Sequence, residues 1–449
     1  MSGIPLIVIF VLAIIVMIVA ISRYKIHPFL SIMTVSLIFG IIAGIPLAEL
    51  PKTIGDGFSG TFKSIGIVII FGALVGTLLE KTGAALRMAD IVVKVVGKKH
   101  PELAILLMGW IVSIPVFCDS GFVILNPIRK ALAKRTGASS VAMTVALSMG
   151  LYISHCFIPP TPGPIAAADA LGIGNNLLLV IILGAVLSIP PLIAGYLFAL
   201  YIGGKVKARD ESFDASLVKS YDQLIAEYGT LPGGFASFAP IIVPILLMAL
   251  ASALAMAKIS CPVLTFLGTP IIALAVGVVL GVMLLVSARK TDEFYKITNE
   301  TLMVVGPILF VTAAGGVLGK VISVSGMVQY ITANSNILSA IGIFFPFVLA
   351  AILKTAQGSS TVAITTTAGM LAPVMPALGL NTPVLSSLCV IAIGAGAMTV
   401  SHANDSYFWV VTNFGEMDPE QGYKTQTLGT LIIGVASMVG VYIAYLVLA

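Results

Sequence analysis

Lys354-Thr355-Ala356-Gln357-Gly358-Ser359-Ser360-Thr361 interrupts an apolar run over residues 337–380. Cys118-Asp119-Ser120-Gly121 does the same within residues 103–128, leaving pieces too short to cross a bilayer alone. Lipid offers no partner to bare backbone, so a polar turn at membrane depth must be buried in protein or line an aqueous cavity. Both segments therefore read as re-entrant hairpins, each entering the bilayer, turning at a polar tip and leaving on the same side.

The rest of the chain supports a lipid setting. Of 449 residues, 58% are apolar and only 10% charged, with 44 glycines. Soluble proteins carry roughly 25% charged residues, so this chain cannot cover the surface of one or two water-soluble domains. A mean hydropathy of +1.10 fits an all-α polytopic membrane protein. The formal charge of +5 includes no polyanion groove, since the densest basic cluster is Arg129, Lys130, Lys134 and Arg135. Four cysteines and four histidines stand singly, without metal-ligand spacing, and no cofactor is implied.

Candidate spans are 4–21, 29–45, 65–79, 138–158 (with an irregular extension to about 170) and 176–203. They continue at 239–257, 264–287, 301–319, 384–400 and 428–448. The first is preceded by no basic residue and followed by Arg23 and Lys25, which reads as a permanent helix with a cytoplasmic C-terminal end. In this layout 19 Lys and Arg fall on cytoplasmic segments, while Lys52, Lys63, Lys258, Lys320 and Lys354 lie outside or within the membrane.

A polar segment at 204–238, expected to be cytoplasmic, divides the chain near its midpoint. The parts on either side echo each other. Gly72-x3-Gly76-x6-Gly83 recurs as Gly315-x3-Gly319-x6-Gly326, and Ser154-His155 recurs as Ser401-His402. Each half, 1–203 and 239–449, then holds about five transmembrane helices and one hairpin. An odd number of crossings inverts the second copy, which is the inverted-repeat plan of secondary transporters, with broken helices meeting near the midplane.

Four polar constellations lie in apolar surroundings: Asp119-Ser120-Gly121; Ser154-His155 before Pro159-Pro160-Thr161-Pro162-Gly163-Pro164; Gln357-Gly358-Ser359-Ser360-Thr361; and Ser401-His402-Ala403-Asn404-Asp405-Ser406. Prolines and glycines unwind helices and leave N–H groups facing a gap, which suits a carboxylate. The hydroxyl and amide side chains suit a hydroxylated substrate. Expected substrate contacts are Ser120, Gly121, Ser154, Thr161, Gln357, Gly358, Ser359, Ser360, Thr361, Asn404 and Ser406. An inside-negative membrane opposes uptake of one anionic charge by about 2.3 kcal/mol per 100 mV, and one accompanying proton cancels that penalty. Asp119, His155, His402 and Asp405 are the candidates to carry it. Plainer roles compete: Asp119 as a helix cap, either His bonded to a carbonyl, Asp405 at the cytoplasmic surface, and Lys354 snorkelling to the outer face. The glycine spacing suits close helix packing.

The segments 154–164, 354–361 and 401–405, together with Phe117-Cys118-Asp119-Ser120-Gly121-Phe122-Val123, resemble the gluconate permease (gluconate:proton symporter) family from end to end. Thr161, Tyr407 and Cys118 depart from that family's commoner residues. The resemblance implies proton-coupled uptake of gluconate or a related small hydroxylated monocarboxylate through the bacterial cytoplasmic (inner) membrane. It also implies the ion-transporter superfamily architecture, as a homodimer with a scaffold part and a moving part. Carriage of D-serine or another hydroxy acid, or sodium coupling, would use the same fold. An intramembrane hydrolase is the rival class, but the chain has neither G-x-S-x-G nor H-E-x-x-H, so no enzyme activity is expected.

Overall fold

The computed structural model describes residues 3–96, 100–208, 231–256, 259–327, 330, 342–402 and 405–448, and these contain helices but no strand. The first part comprises α1 (Ile4–Ser22), α2 (Pro28–Ala43), α3 (Leu50–Thr61), α4 (Ile67–Lys81), α5 (Ala84–Val96), α6 (Pro101–Val112), α7 (Cys118–Thr136), α8 (Ser140–Phe157), α9 (Pro162–Ala170), α10 (Leu177–Leu187) and α11 (Ile189–Gly203). After the linker come α12 (Gly234–Met256), α13 (Pro262–Leu267), α14 (Pro270–Ser287), α15 (Phe294–Val324), α16 (Phe344–Gln357), α17 (Ser360–Leu371), α18 (Pro383–Met398), α19 (Ser406–Phe414), α20 (Pro419–Gly422) and α21 (Leu428–Leu448).

Local chemistry sets the boundaries near the centre. Ser139 caps α8 by accepting from Ala142 N at 3.3 Å, and Thr382 caps α18 by accepting from Leu385 N at 3.2 Å. Helix α8 stops at Phe157 because Ile158 precedes a proline and is extended, at φ −115° and ψ 117°. Pro162, at the first position of α9, restarts the helix where no N–H is needed.

Every residue of α8 is buried, as is α18 from Leu385 to Met398. The two helices pack on each other at the centre. Around them the outer helices expose apolar side chains, such as Val279 and Met283 on α14 and Val439 and Ile443 on α21. A buried inner pair of helices with scattered Ser and Thr behind an outer layer that exposes apolar side chains is the arrangement expected of a polytopic membrane protein.

One element order occurs in both parts. A short helix (α6 or α16), a turn and a second arm (α7 or α17) precede a buried helix (α8 or α18), a break and a short helix (α9 or α19). Packing follows the same rule, α6 against α8 and α16 against α18. The second arms cross over, with α7 against α19 and α17 against α9. The glycine echo has a counterpart too. A Cβ on Gly72 would meet Pro160 at the α8–α9 break, and one on Gly76 would collide with the Pro115 carbonyl oxygen. On α15, Gly315 and Gly319 lie against the backbone of α17 at Thr365–Thr366 and Gly369.

Several boundaries differ from the sequence expectation. The first turn spans residues 113–117, held by Ser113 Oγ donating to Val116 O at 2.8 Å, whereas Cys118–Gly121 form the opening turn of α7. Pro115 and the extended Phe117 break the chain, not the polar run after them. The second turn is confined to Gly358 and Ser359. Gly358 has φ +83°, which favours glycine, and Lys354 remains on α16. Helix α12 begins inside the expected 204–238 linker, most of which lies outside the described residues. The expected span 301–319 is the centre of the longer α15.

Candidate functional site

Three helix N-termini meet at one cavity of about 180 Å³. Helix α7 brings Phe117, Cys118 and Asp119, α17 brings Ser359, Ser360 and Thr361, and α19 brings Asp405, Ser406 and Tyr407. His155 from the C-terminal end of α8 enters the same space, and α15 closes it with Val304 and Ile308. Each N-terminus carries roughly half a positive charge, so the three supply on the order of +1.5 before side chains are counted.

The caps fix this convergence. Ser359 Oγ accepts from Val362 N at 3.3 Å, and Asp405 Oδ1 accepts from Tyr407 N at 3.0 Å. Ser406 Oγ donates to Asp119 Oδ1 at 3.2 Å, joining the first turn of α7 to α19. His155 Nε2 lies 3.3 Å from Thr361 Oγ1, joining α8 to α17. Its Nδ1 is buried with no partner among the described residues.

A buried ion pair forms part of the cavity wall, Asp405 in the lining and Lys354 behind it. Lys354, 1% exposed, places Nζ 2.5 Å from Asp405 Oδ2 and 2.5 Å from the Gly358 carbonyl oxygen. Asp405 Oδ2 also accepts from Ser401 Oγ at 2.5 Å and lies 3.5 Å from the Tyr152 hydroxyl. The Lys354 ammonium sits 6.0 Å from the centre of the Tyr152 ring. One lysine thus ties the turn between α16 and α17 to the break before α19.

The sequence-derived candidates divide. Asp119, His155, Ser359, Ser360, Thr361, Asp405 and Ser406 line the cavity together. Gly358 contributes its carbonyl to Lys354. Gly121, Ser154 and Thr161 are buried outside the lining. Gly121 packs against Leu151, Ser154 Oγ donates to Leu151 O, and Thr161 Oγ1 donates to Ile158 O at 2.8 Å. His402 is half-buried and does not line the cavity. Asn404 and the side chains of Ser120 and Gln357 lie outside the described part.

Three plainer readings fall. Asp405 is 3% exposed and caps α19, so it is not a surface group, and Lys354 does not snorkel. Asp119 sits in the first turn of α7 without bonding a backbone N–H, so it is not the cap. Lys354 and Tyr152 were not among the sequence-derived site residues. The signal for Lys354 was its position inside the polar interruption; Tyr152 gave none, being one aromatic residue in an apolar helix.

The family model for GntP family permeases matches residues 4–447. A protein of Haemophilus influenzae named an uncharacterized permease is 34% identical over 426 residues, covering 92% of this chain and 86% of the relative. The gluconate permease of Zymomonas mobilis is 30% identical over 441 residues, covering 95% of each. The structure of MtrF from Neisseria gonorrhoeae aligns with a TM-score of 0.68 over 95% of this chain and 96% of that one, at 14% identity, a likeness of fold. A match from the first helix to the last, with relatives of the same length, makes this chain a member of the GntP permease family.

Proposed function

We propose that this permease carries gluconate or a related small hydroxylated monocarboxylate into the bacterial cell with a proton, by alternating access. The supporting observation is the small cavity where three helix N-termini, four serine and threonine residues and His155 converge. A carboxylate suits the N–H groups of α7, α17 and α19, and a polyol chain suits Ser359, Ser360, Thr361 and Ser406. Relatives named gluconate permease at about this length bring the substrate class to the proposal.

The two parts of the chain act in this reading as inverted repeats, 1–203 and 239–449, joined by a cytoplasmic linker. Helices α6 and α16 have 12 and 14 residues, about 18 and 21 Å, against roughly 30 Å of hydrocarbon. They serve as first arms of re-entrant hairpins whose second arms cross to the opposite half. The site then sits near the midplane, between hairpin ends that open toward opposite sides. The functional unit is a homodimer in the inner membrane. Asp119, His155 and Asp405 line the space that receives the anion, and the coupling proton is taken up there.

Purified protein in proteoliposomes tests the substrate: labelled gluconate uptake is measured against unlabelled gluconate, idonate, fructuronate and D-serine. Gluconate uptake that unlabelled hydroxy acids suppress and D-serine does not is the expected result. No uptake of labelled gluconate, together with uptake of labelled D-serine in a parallel assay, would keep the fold and overturn the substrate assignment.

A further inference from the structure

We infer that Asp119 alone, of the two carboxylates at the cavity, takes up and releases the proton that travels with the anion, while Asp405 stays charged on Lys354. The inference rests on the anion-carrier reading and assigns one step within it. The two carboxylates face the same space but differ in their partners. Asp405 holds an ammonium, two hydroxyl contacts and a backbone N–H. Asp119 has Ser406 Oγ at 3.2 Å and Cys118 Sγ at 3.6 Å, and no Lys or Arg within 4 Å among the described residues.

The ionisable groups around Asp119 are Cys118 on α7, His155 and Tyr152 on α8, Asp405 and Tyr407 beside α19, and Lys354 on α16 behind Asp405. Helix α15 adds only Val304 and Ile308 to the lining. Lys354 and Asp405 pair with each other, which leaves Asp119 as the carboxylate without a cationic side chain of its own that an arriving carboxylate meets. Like charges in one small site do not both persist, so binding of the anion and protonation of Asp119 favour each other. The proton comes from water on the outer side, forms an O–H bond on Asp119, and leaves to water inside once the anion has gone.

His155 is a poorer carrier. An imidazolium there would hold a buried Nδ1–H with no acceptor among the described residues. Meanwhile the Lys354–Asp405 pair pins the tip of the second hairpin to the α18–α19 break throughout the cycle.

Infrared difference spectroscopy of the purified full chain, with and without gluconate, reads carboxyl protonation directly. Wild type should gain a carboxylic-acid carbonyl band on binding, and its affinity should fall about tenfold per pH unit on the alkaline side, as expected for one linked proton. Asp119→Asn should lose the band and flatten the pH dependence to within about twofold over the same range. Asp405→Asn should keep the band. The double variant Lys354→Met/Asp405→Asn should keep it too, and serves if the single change prevents folding. Loss of the band with Asp405 and its survival in Asp119→Asn would overturn the inference. If wild type binds none of the hydroxy acids, the transport reading fails instead. Acid titration of the same band without ligand then judges Asp119: loss of the titrating band in Asp119→Asn supports the assignment, and loss only in the Asp405 variants overturns it.

Discussion

Lys354 and Asp405 are 51 positions apart and form a buried ion pair that no spacing rule would find. Removing one partner strands a charge in a low-dielectric interior, which typically costs 3–5 kcal/mol, whereas removing both is often near neutral. Lys354→Met should therefore lower the unfolding temperature in detergent sharply, and adding Asp405→Asn should restore most of it. A double variant no more stable than the single one would show that the pair is not what holds the tip. Thr361 offers a second test, because its hydroxyl is the partner of His155 Nε2 at 3.3 Å. Thr361→Ala should raise the transport KM about tenfold, equivalent to about 1.4 kcal/mol; an unchanged KM would set the hydroxyl apart from substrate. Ionisable residues inside apolar runs drew attention to Asp119, His155 and Asp405 from the sequence. The failure of Thr161 and Ser154 to reach the cavity was not legible. Each hydroxyl satisfies itself on a carbonyl of its own turn, a choice that depends on side-chain direction rather than residue type.

At the scale of elements, both breaks in the buried helices follow from local chemistry. The extended residue before Pro159 ends α8, and the Asp405 cap starts α19. Such features could be read from the sequence. The turn between α6 and α7 lies at residues 113–117 rather than in the polar run 118–121, because a polar run looks like a tip while the backbone breaks at Ser113 and Pro115 just before it. Glycine faces on α4 and α15 let neighbouring backbones approach with no side chain between them. Gly76→Val and Gly319→Val should each cost about 1–3 kcal/mol of stability and suppress transport, since the Cβ would meet backbone rather than a movable side-chain end. Gly55→Ala, with open space at that position inside α3, should not destabilise and should gain up to about 1 kcal/mol from helix propensity. Equal effects at all three positions would contradict the close-packing role.

For the whole molecule, low charge and high apolar content point to a polytopic helical membrane protein from composition alone. The packing between α7 and α19 and between α17 and α9 joins elements about 190 to 290 positions apart, so only the folded chain could reveal it. The proposed inversion of the halves makes a topological prediction. Lys290→Cys should react with an impermeant maleimide only from the cytoplasmic side and Lys52→Cys only from outside, and labelling of both from one side would refute the inversion. The decisive measurement is uptake of labelled gluconate into proteoliposomes under an imposed inward proton gradient, with and without a protonophore and beside an equal sodium gradient. Accumulation above the external concentration, driven by protons, abolished by the protonophore and indifferent to sodium, is the expected result. Equilibration without accumulation, or accumulation driven by sodium alone, would contradict proton-coupled transport.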